Sequence, residues 1–204
     1  MEVQELNKAL GNIDIYLLDQ ILKGRFNSTM KILDAGCGEG RNIMYFLRNN
    51  YEVSGIDTNP DAIRMLQFVA RSVNPNQQRE NFKIGNIESM PYENNVFDVT
   101  ICSAVLHFAK SDEHFNDMTR EICRVTKPGG TIFIRTASSI GIEDLIEKKE
   151  SGCYNLPDGS TRYLVHRNDM RDIPNKYGVE YLEPFKTVNV ADQRCMSNLI
   201  LRKL

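Results

Sequence analysis

The stretch KILDAGCGEGRNIMYFL, residues 31–47, decides how the rest of the chain is read. A short apolar run ends in Asp34, glycines follow at the alternate positions 36, 38 and 40, and apolar residues then resume at helical spacing. The pattern predicts a buried strand over Lys31 to Asp34, a tight loop where a ligand lies against bare backbone, and a helix from Gly40 to Asn49 whose N-terminus faces that ligand. The loop reads GxGxG, whereas the dinucleotide fingerprint GxGxxG needs its third glycine where Arg41 stands. Alone, the loop indicates a nucleotide-like cofactor, or a plain tight turn between strand and helix.

Working outward, residues 52–57 (EVSGID) repeat the theme of a short strand ending in an acid. Asn59 before Pro60 supplies a cap and a proline start for a helix running to about Arg71. Further strands are expected at Asn81 to Gly85, at Val96 to Ser103 and at Thr131 to Thr136. A helix from Asp112 to Val125 is expected to stop at Lys127-Pro128-Gly129-Gly130. Strands alternating with helices require crossover connections, so the region predicts a doubly wound α/β sheet with its ligand edge at the carboxyl ends of the strands.

Upstream, Val3, Leu6, Leu10, Ile13, Leu17 and Ile21 form a helical stripe broken at Gly11. Its polar cluster, Asn12, Asp14, Tyr16 and Asp19, is either a solvated face or a lid over the cofactor. Downstream, Cys153 to His166 reads as a hairpin around Pro157-Asp158-Gly159, followed by a helix near Asn168 to Lys176. Two extended segments, Glu180 to Val190 and Cys195 to Lys203, have no helix between them and are expected to pair antiparallel.

The net charge of −2, with lysines and arginines scattered, gives no bulk field for a polyanion. Cys37, Cys102, Cys123, Cys153 and Cys195 form no CxxC pair and, with three histidines, no metal-ligand spacing. Dispersed cysteines without a secretory or long apolar stretch point to reduced thiols, a cytoplasmic location and no membrane span.

Asp57 ends the second strand, where a carboxylate is suited to accept hydrogen bonds from both hydroxyls of a ribose; capping the next helix is the other use of an acid there. Taken together, Asp34 to Gly40, Asp57, the GNIESMP stretch from Gly85 to Pro91, the strand Phe97 to Ser103 and the Lys127 to Gly130 turn resemble the ordered motifs of class I S-adenosylmethionine-dependent methyltransferases. The resemblance covers roughly Met30 to Ala137. It implies a Rossmann-like methyltransferase fold: one domain over 1–204, with a seven-stranded, mostly parallel sheet and an antiparallel last strand. Residues 1–29 form a helical cap, 30–137 the cofactor-binding core and 138–204 a substrate-shaping segment with the antiparallel pair.

The same resemblance implies S-adenosylmethionine as cofactor, S-adenosylhomocysteine as product, and no metal. Asp34, Gly36, Cys37, Gly38, Gly40 and Asn42 would surround the methionine part, Asp57 and Thr58 the ribose, Asn86 and Ile87 the adenine, and Ser103 the methyl-donor end. Where this chain has Asn86 the family more often has Asp; asparagine keeps an acceptor for the adenine amine and adds a donor.

His107 is the candidate base, placed just after the fourth strand with a side chain that titrates near neutrality; packing against the cofactor or capping the next helix are its other readings. Tyr16, Phe108, Ser138, Arg162 and Arg194 are candidate acceptor contacts, the arginines suiting a carboxylate or phosphate if they are not solvated surface. Ser103-Ala104-Val105-Leu106 stands where base-amino methyltransferases of nucleic acids carry an Asn-Pro-Pro-Tyr-like tetrapeptide, which argues against a DNA partner. The expected acceptor is a small molecule, with protein or RNA acceptors, a non-catalytic cofactor-binding role, and a monomer or dimer all left open.

Overall fold

The computed structural model describes residues 2–149 and 152–204. Met1 of the expected cap and Glu150 and Ser151 of the C-terminal segment lie outside the described residues. Helices α1 (Val3–Leu10) and α2 (Ile15–Leu22) come first, separated by Gly11 at φ 63°. α1 buries none of its residues, while α2 buries Leu17 and Gln20 and is capped by Asp14, whose carboxylate accepts from the Tyr16 N–H at 2.9 Å.

The alternating region then runs β1 (Lys31–Ala35), α3 (Met44–Arg48), β2 (Glu52–Asp57), α4 (Pro60–Val73), β3 (Phe82–Ile84), β4 (Phe97–Ser103), α5 (Asp112–Val125) and β5 (Thr126–Ala137). A small three-stranded sheet follows, β6 (Glu147–Lys148), β7 (Tyr154–Asn155) and β8 (Thr161–Arg162), and then α6 (Arg167–Tyr177), β9 (Val179–Tyr181), β10 (Lys186–Val190) and β11 (Arg194–Lys203). The main sheet has the order β10-β11-β5-β4-β1-β2-β3, with β9 also on β11. β3, β2, β1, β4 and β5 are mutually parallel, and β11 runs antiparallel to β5, β10 and β9.

Side-chain alternation along the strands divides the core into two layers. Leu33, Cys102 and Ile132 face one side with Phe115 and Ile122 of α5; Ile32, Ile101 and Phe133 face the other with Ile63 and Leu66 of α4. Burial on both faces is why these strands read as continuous apolar runs. Each fully buried aliphatic side chain contributes about 1.5–3 kcal/mol of transfer free energy. Among the described residues, no helix is long and apolar enough to cross a membrane.

Three expectations change. The helix after the glycine loop occupies only Met44–Arg48, because Gly40 (φ 86°) and the Gly40 carbonyl, which accepts from Ile43 N–H at 3.0 Å, spend residues 40–43 on a turn; its N-terminus is therefore set back from the glycine loop. The Lys127 to Gly130 stretch is part of β5, which begins directly at Thr126 and shifts register opposite Phe97 to Val99. The segment from Glu180 to Val190 breaks into β9 and β10 around Pro184, which has no N–H to give a ladder, and the two pieces line the same edge of β11.

Candidate functional site

An open cleft of about 720 Å³ runs along the carboxyl ends of β1, β2, β3 and β4. Gly36, Cys37, Gly38 and Asn42 line it from the first loop, Asp57 and Thr58 from the second, Asn86 and Ile87 from the third, and Ser103 from the fourth. Gly36 N–H and Cys37 N–H both donate to the Ile56 carbonyl, at 2.8 and 3.1 Å, stitching the loop to the end of β2. Gly38 N–H donates to Asp57 Oδ2 at 2.8 Å, and Asn59 N–H donates to Asp57 Oδ1 at 2.9 Å. Asp57 thus holds two loops together while each of its oxygens keeps a further acceptor site.

Two glycines have distinct reasons to be glycine. At Gly36 (φ 83°) a Cβ would run into the Val105 side chain, Cγ2 most closely and Cγ1 at 3.0 Å. At Gly38 (φ 50°) a Cβ would meet no protein atom within 4 Å, so the space above it belongs to the cleft. Bare backbone there lets a bound molecule approach.

Asp34 and Gly40 stand off the cleft wall. Asp34 is 1% exposed and its Oδ1 has no hydrogen-bond partner. Burial pushes its carboxyl up to about 7, against the pull of Arg41 and with a smaller push from Asp57. Burial also raises the Cys37 thiol, helped by Asp34 and Asp57, so it stays protonated. An orphaned carboxylate oxygen behind a glycine cradle fits a ligand that carries N–H or ammonium donors.

The N-terminal segment is fastened to this cleft. Asp14 is 3% exposed; its N–H donates to Asn42 Oδ1 at 3.0 Å, and its Oδ2 lies 3.0 Å from Arg135 Nη1 and 3.5 Å from Ser103 Oγ. Of the polar cluster on the first helices, Asp14 is accordingly turned inward and not part of a solvated face.

A second cavity, about 240 Å³, adjoins the first, with Ala104 lining both. Ala104 has φ 64° and makes the turn between them, its N–H bonded to the Arg135 carbonyl at 2.7 Å. The cavity is walled by His107, Arg135, Arg162 and Arg194, with Leu156 and Met196 as its apolar side. Tyr163 N–H donates to the His107 carbonyl at 3.0 Å, which ties the β7–β8 hairpin and Arg162 to the turn after β4. The Arg162 guanidinium sits 4.9 Å from the centre of the Phe108 ring, and Phe108 itself lines the cleft.

His107 therefore belongs to the second cavity. It is 7% exposed, its Nδ1 has no partner, and burial, then Arg162 and Arg135, hold its pKa down to about 4. Its imidazole is neutral and weakly basic near pH 7, unlike the near-neutral titration the sequence suggested. Ser138 and Tyr16 line neither cavity. Ser138 Oγ pairs with Ser197 Oγ at 2.8 Å on the face of β5's continuation opposite Ala137, and Tyr16 packs beside the core layer of α2. Asp14 stood in the sequence only as one of the polar cluster on the first helices, and Arg135 and Ala104 were not site candidates; a lone guanidinium in the apolar run Thr131 to Ala137 was the available signal for Arg135.

This strand order, with a glycine loop and a strand-end acid opening one cleft on the carboxyl edge, defines a Rossmann-like α/β protein of the methyltransferase type. Residues 26–178 match the family model described as a methyltransferase domain, and the chain belongs to that family. It is 28% identical over 142 residues to malonyl-[acyl-carrier protein] O-methyltransferase of Buchnera aphidicola subsp. Baizongia pistaciae, covering 65% of this chain and 53% of that one. It is 32% identical over 107 residues to a thiol S-methyltransferase of Homo sapiens, covering 51% and 41%. The chain thus spans about half, or less, of the length of these curated relatives. An S-adenosylmethionine-dependent methyltransferase from Methanosarcina mazei superposes with a TM-score of 0.73 at 21% identity, covering 90% of this chain and 97% of that one. Magnesium protoporphyrin IX methyltransferase from Synechocystis, with S-adenosylhomocysteine bound, superposes with a TM-score of 0.68 at 16% identity, covering 100% and 90%. These superpositions show a shared fold.

Proposed function

We propose that this chain binds S-adenosylmethionine in the cleft at the ends of β1 to β4 and methylates a small molecule held in the adjoining cavity. The observation that carries this reading is the single cleft formed by the glycine loop, Asp57, Asn86–Ile87 and Ser103, opening through Ala104 onto a second, smaller cavity. The cofactor's methionine part belongs with the Gly36 to Gly38 backbone, Asn42 and, behind them, Asp34. Asp57 takes the ribose hydroxyls with its remaining acceptor sites, and Asn86 and Ile87 take the adenine. Relatives named for O- and S-methyl transfer support the same class of reaction.

When bound, S-adenosylmethionine supplies an electrophilic methyl group on a sulfonium. The protein's own task is to hold the acceptor in line and keep water out, and orientation of that kind removes about 7–11 kcal/mol of a bimolecular barrier. His107 acts as a neutral hydrogen-bonding group at the acceptor: a base with a pKa of about 4 takes a proton poorly from a hydroxyl or ammonium. The helices before β1 act as a lid, latched by Asp14 to Asn42 and Arg135.

The test is transfer of label from methyl-labelled S-adenosylmethionine into the low-molecular-mass fraction of a cell extract. Label in that fraction supports the reading. Tight S-adenosylhomocysteine binding with no labelled product, small or macromolecular, would mark a cofactor-binding protein without catalysis.

A further inference from the structure

The second cavity carries an unequal set of charges. Three guanidinium groups face it, from Arg135, Arg162 and Arg194, against one carboxylate of its own wall, Asp158. Two of the three are already engaged: Arg135 by Asp14 at 3.0 Å, and Arg194 by Asp158 at 3.9 Å. Asp158 is itself held low, first by hydrogen bonds from the Ser160 hydroxyl and N–H, so it remains an anion. Arg162 differs. Among the described residues it has no carboxylate within ion-pair distance; it donates to its neighbour's carbonyl, Thr161 O, at 2.8 Å and stacks on Phe108.

His107 lines the same cavity, buried, with an unpartnered Nδ1. A buried polar atom without a partner is unfavourable unless something fills the place. Apart from Ser160, whose hydroxyl donates to Asp158 Oδ1 at 2.6 Å, the remaining wall, Ala104, Ala137, Leu156 and Met196, is apolar. One uncommitted planar guanidinium, one vacant ring nitrogen and an apolar wall match a small molecule with an aliphatic body and a single planar anionic head. A dianionic phosphate would call for a second free guanidinium. A cationic acceptor would face three like charges.

We propose that this cavity is the acceptor site and that it selects a small carboxylate, whose carboxylate oxygens are bound by the Arg162 guanidinium and hydrogen-bonded by His107. The inference rests on the methyltransferase reading, since the cavity matters through its shared wall with the cofactor cleft. It goes beyond that reading by naming the chemistry of the acceptor. It also accounts for a neutral His107, which has a ring N–H to give a carboxylate oxygen and no proton to take from it.

Butyrate, butyramide and butyl phosphate serve as probes, titrated into the full chain with and without saturating S-adenosylhomocysteine and followed by NMR of the histidine side chains. Butyrate is expected to bind saturably and to move the His107 titration upward, because a bound anion favours the imidazolium. Butyramide is expected to leave it unmoved. Arg162→Gln is expected to weaken butyrate at least tenfold with S-adenosylhomocysteine affinity unchanged, and Arg162→Lys to weaken it less. The wild-type comparison stands whether or not either variant folds. Butyramide binding as well as butyrate, butyl phosphate binding better, or no butyrate binding while S-adenosylhomocysteine binds would each overturn the carboxylate proposal. Failure of S-adenosylhomocysteine to bind would instead overturn the methyltransferase reading on which it rests.

Discussion

Asp14 Oδ2 lies 3.0 Å from Arg135 Nη1, joining the cap residue of the second helix to the carboxyl end of a core strand 121 positions away. The pair places one end of the N-terminal helices over the boundary between the two cavities. Its carboxylate is almost fully buried while its guanidinium side chain is 28% exposed. Breaking a fully buried pair costs about 3–5 kcal/mol, and partial exposure of Arg135 reduces that while the lost helix cap adds about 1 kcal/mol. Asp14→Ala is therefore expected to lower stability by about 2–4 kcal/mol in urea unfolding, and Asp14→Asn, which keeps a cap acceptor, by less. Equal losses would assign the whole effect to the ion pair with Arg135 and none to the cap.

The glycine loop makes a sharper comparison. Gly36→Ala adds left-handed strain of about 1–2 kcal/mol to an overlap with Val105 that costs about 1–3 kcal/mol. Gly38→Ala carries only the strain, its new methyl entering open cleft. The first is expected to show mainly as a lower unfolding midpoint, the second mainly as weaker S-adenosylhomocysteine binding. Reversed roles would mean that the space above Gly38 is not used by ligand.

Asp34 and His107 pull stability in opposite directions with pH. Asp34 has a folded pKa of about 7 against an ordinary value of 3.8, so the native state holds its proton more tightly and stability falls as pH rises between those values. His107 has a folded pKa of about 4 against 6.5, so the native state holds its proton less tightly and stability falls as pH drops through that window. Each slope is roughly 1.4 kcal/mol per pH unit, and over the shared range the two offset. Asp34→Asn is expected to leave stability rising from pH 4 to 6.5, and His107→Gln to leave it falling. Unfolding titrations that slope the same way in both variants would remove this account.

A further consequence concerns binding. If the cofactor's donors take up the orphaned Asp34 oxygen, they favour its charged form, and S-adenosylhomocysteine binding near pH 6.5 releases a proton. Calorimetry in buffers of different ionisation enthalpy reads that release directly. Asp34→Asn is expected to abolish it.

The two cavities were not equally legible. The cleft is built from short contiguous motifs at strand ends, so Asp57, Asn86 and the glycine loop could be placed once the strands were counted. The neighbouring cavity is assembled from Ala104, His107, Arg135, Arg162 and Arg194, residues of separate segments that only the crossing of the hairpin over β4 and β5 brings together. Arg162 and Arg194 were suspected singly; Arg135 was hidden in an apolar strand. Ser138 shows the limit most clearly: one residue beyond Ala137, the alternation of the strand turns it away from the cavity and onto Ser197. The length of the helix after the loop was also out of reach, because a glycine spacing does not say how many residues a turn will consume.

The most direct test of the central claim is calorimetric titration of S-adenosylhomocysteine into the wild-type chain and into Asp57→Ala. Stoichiometric binding to the wild type, at least tenfold weaker in the variant, is the predicted result, because Asp57 fastens Gly38 of the glycine loop and, in the proposed reading, would also take the ribose hydroxyls. Absence of binding, or preferential binding of NAD in the same cleft, would contradict it.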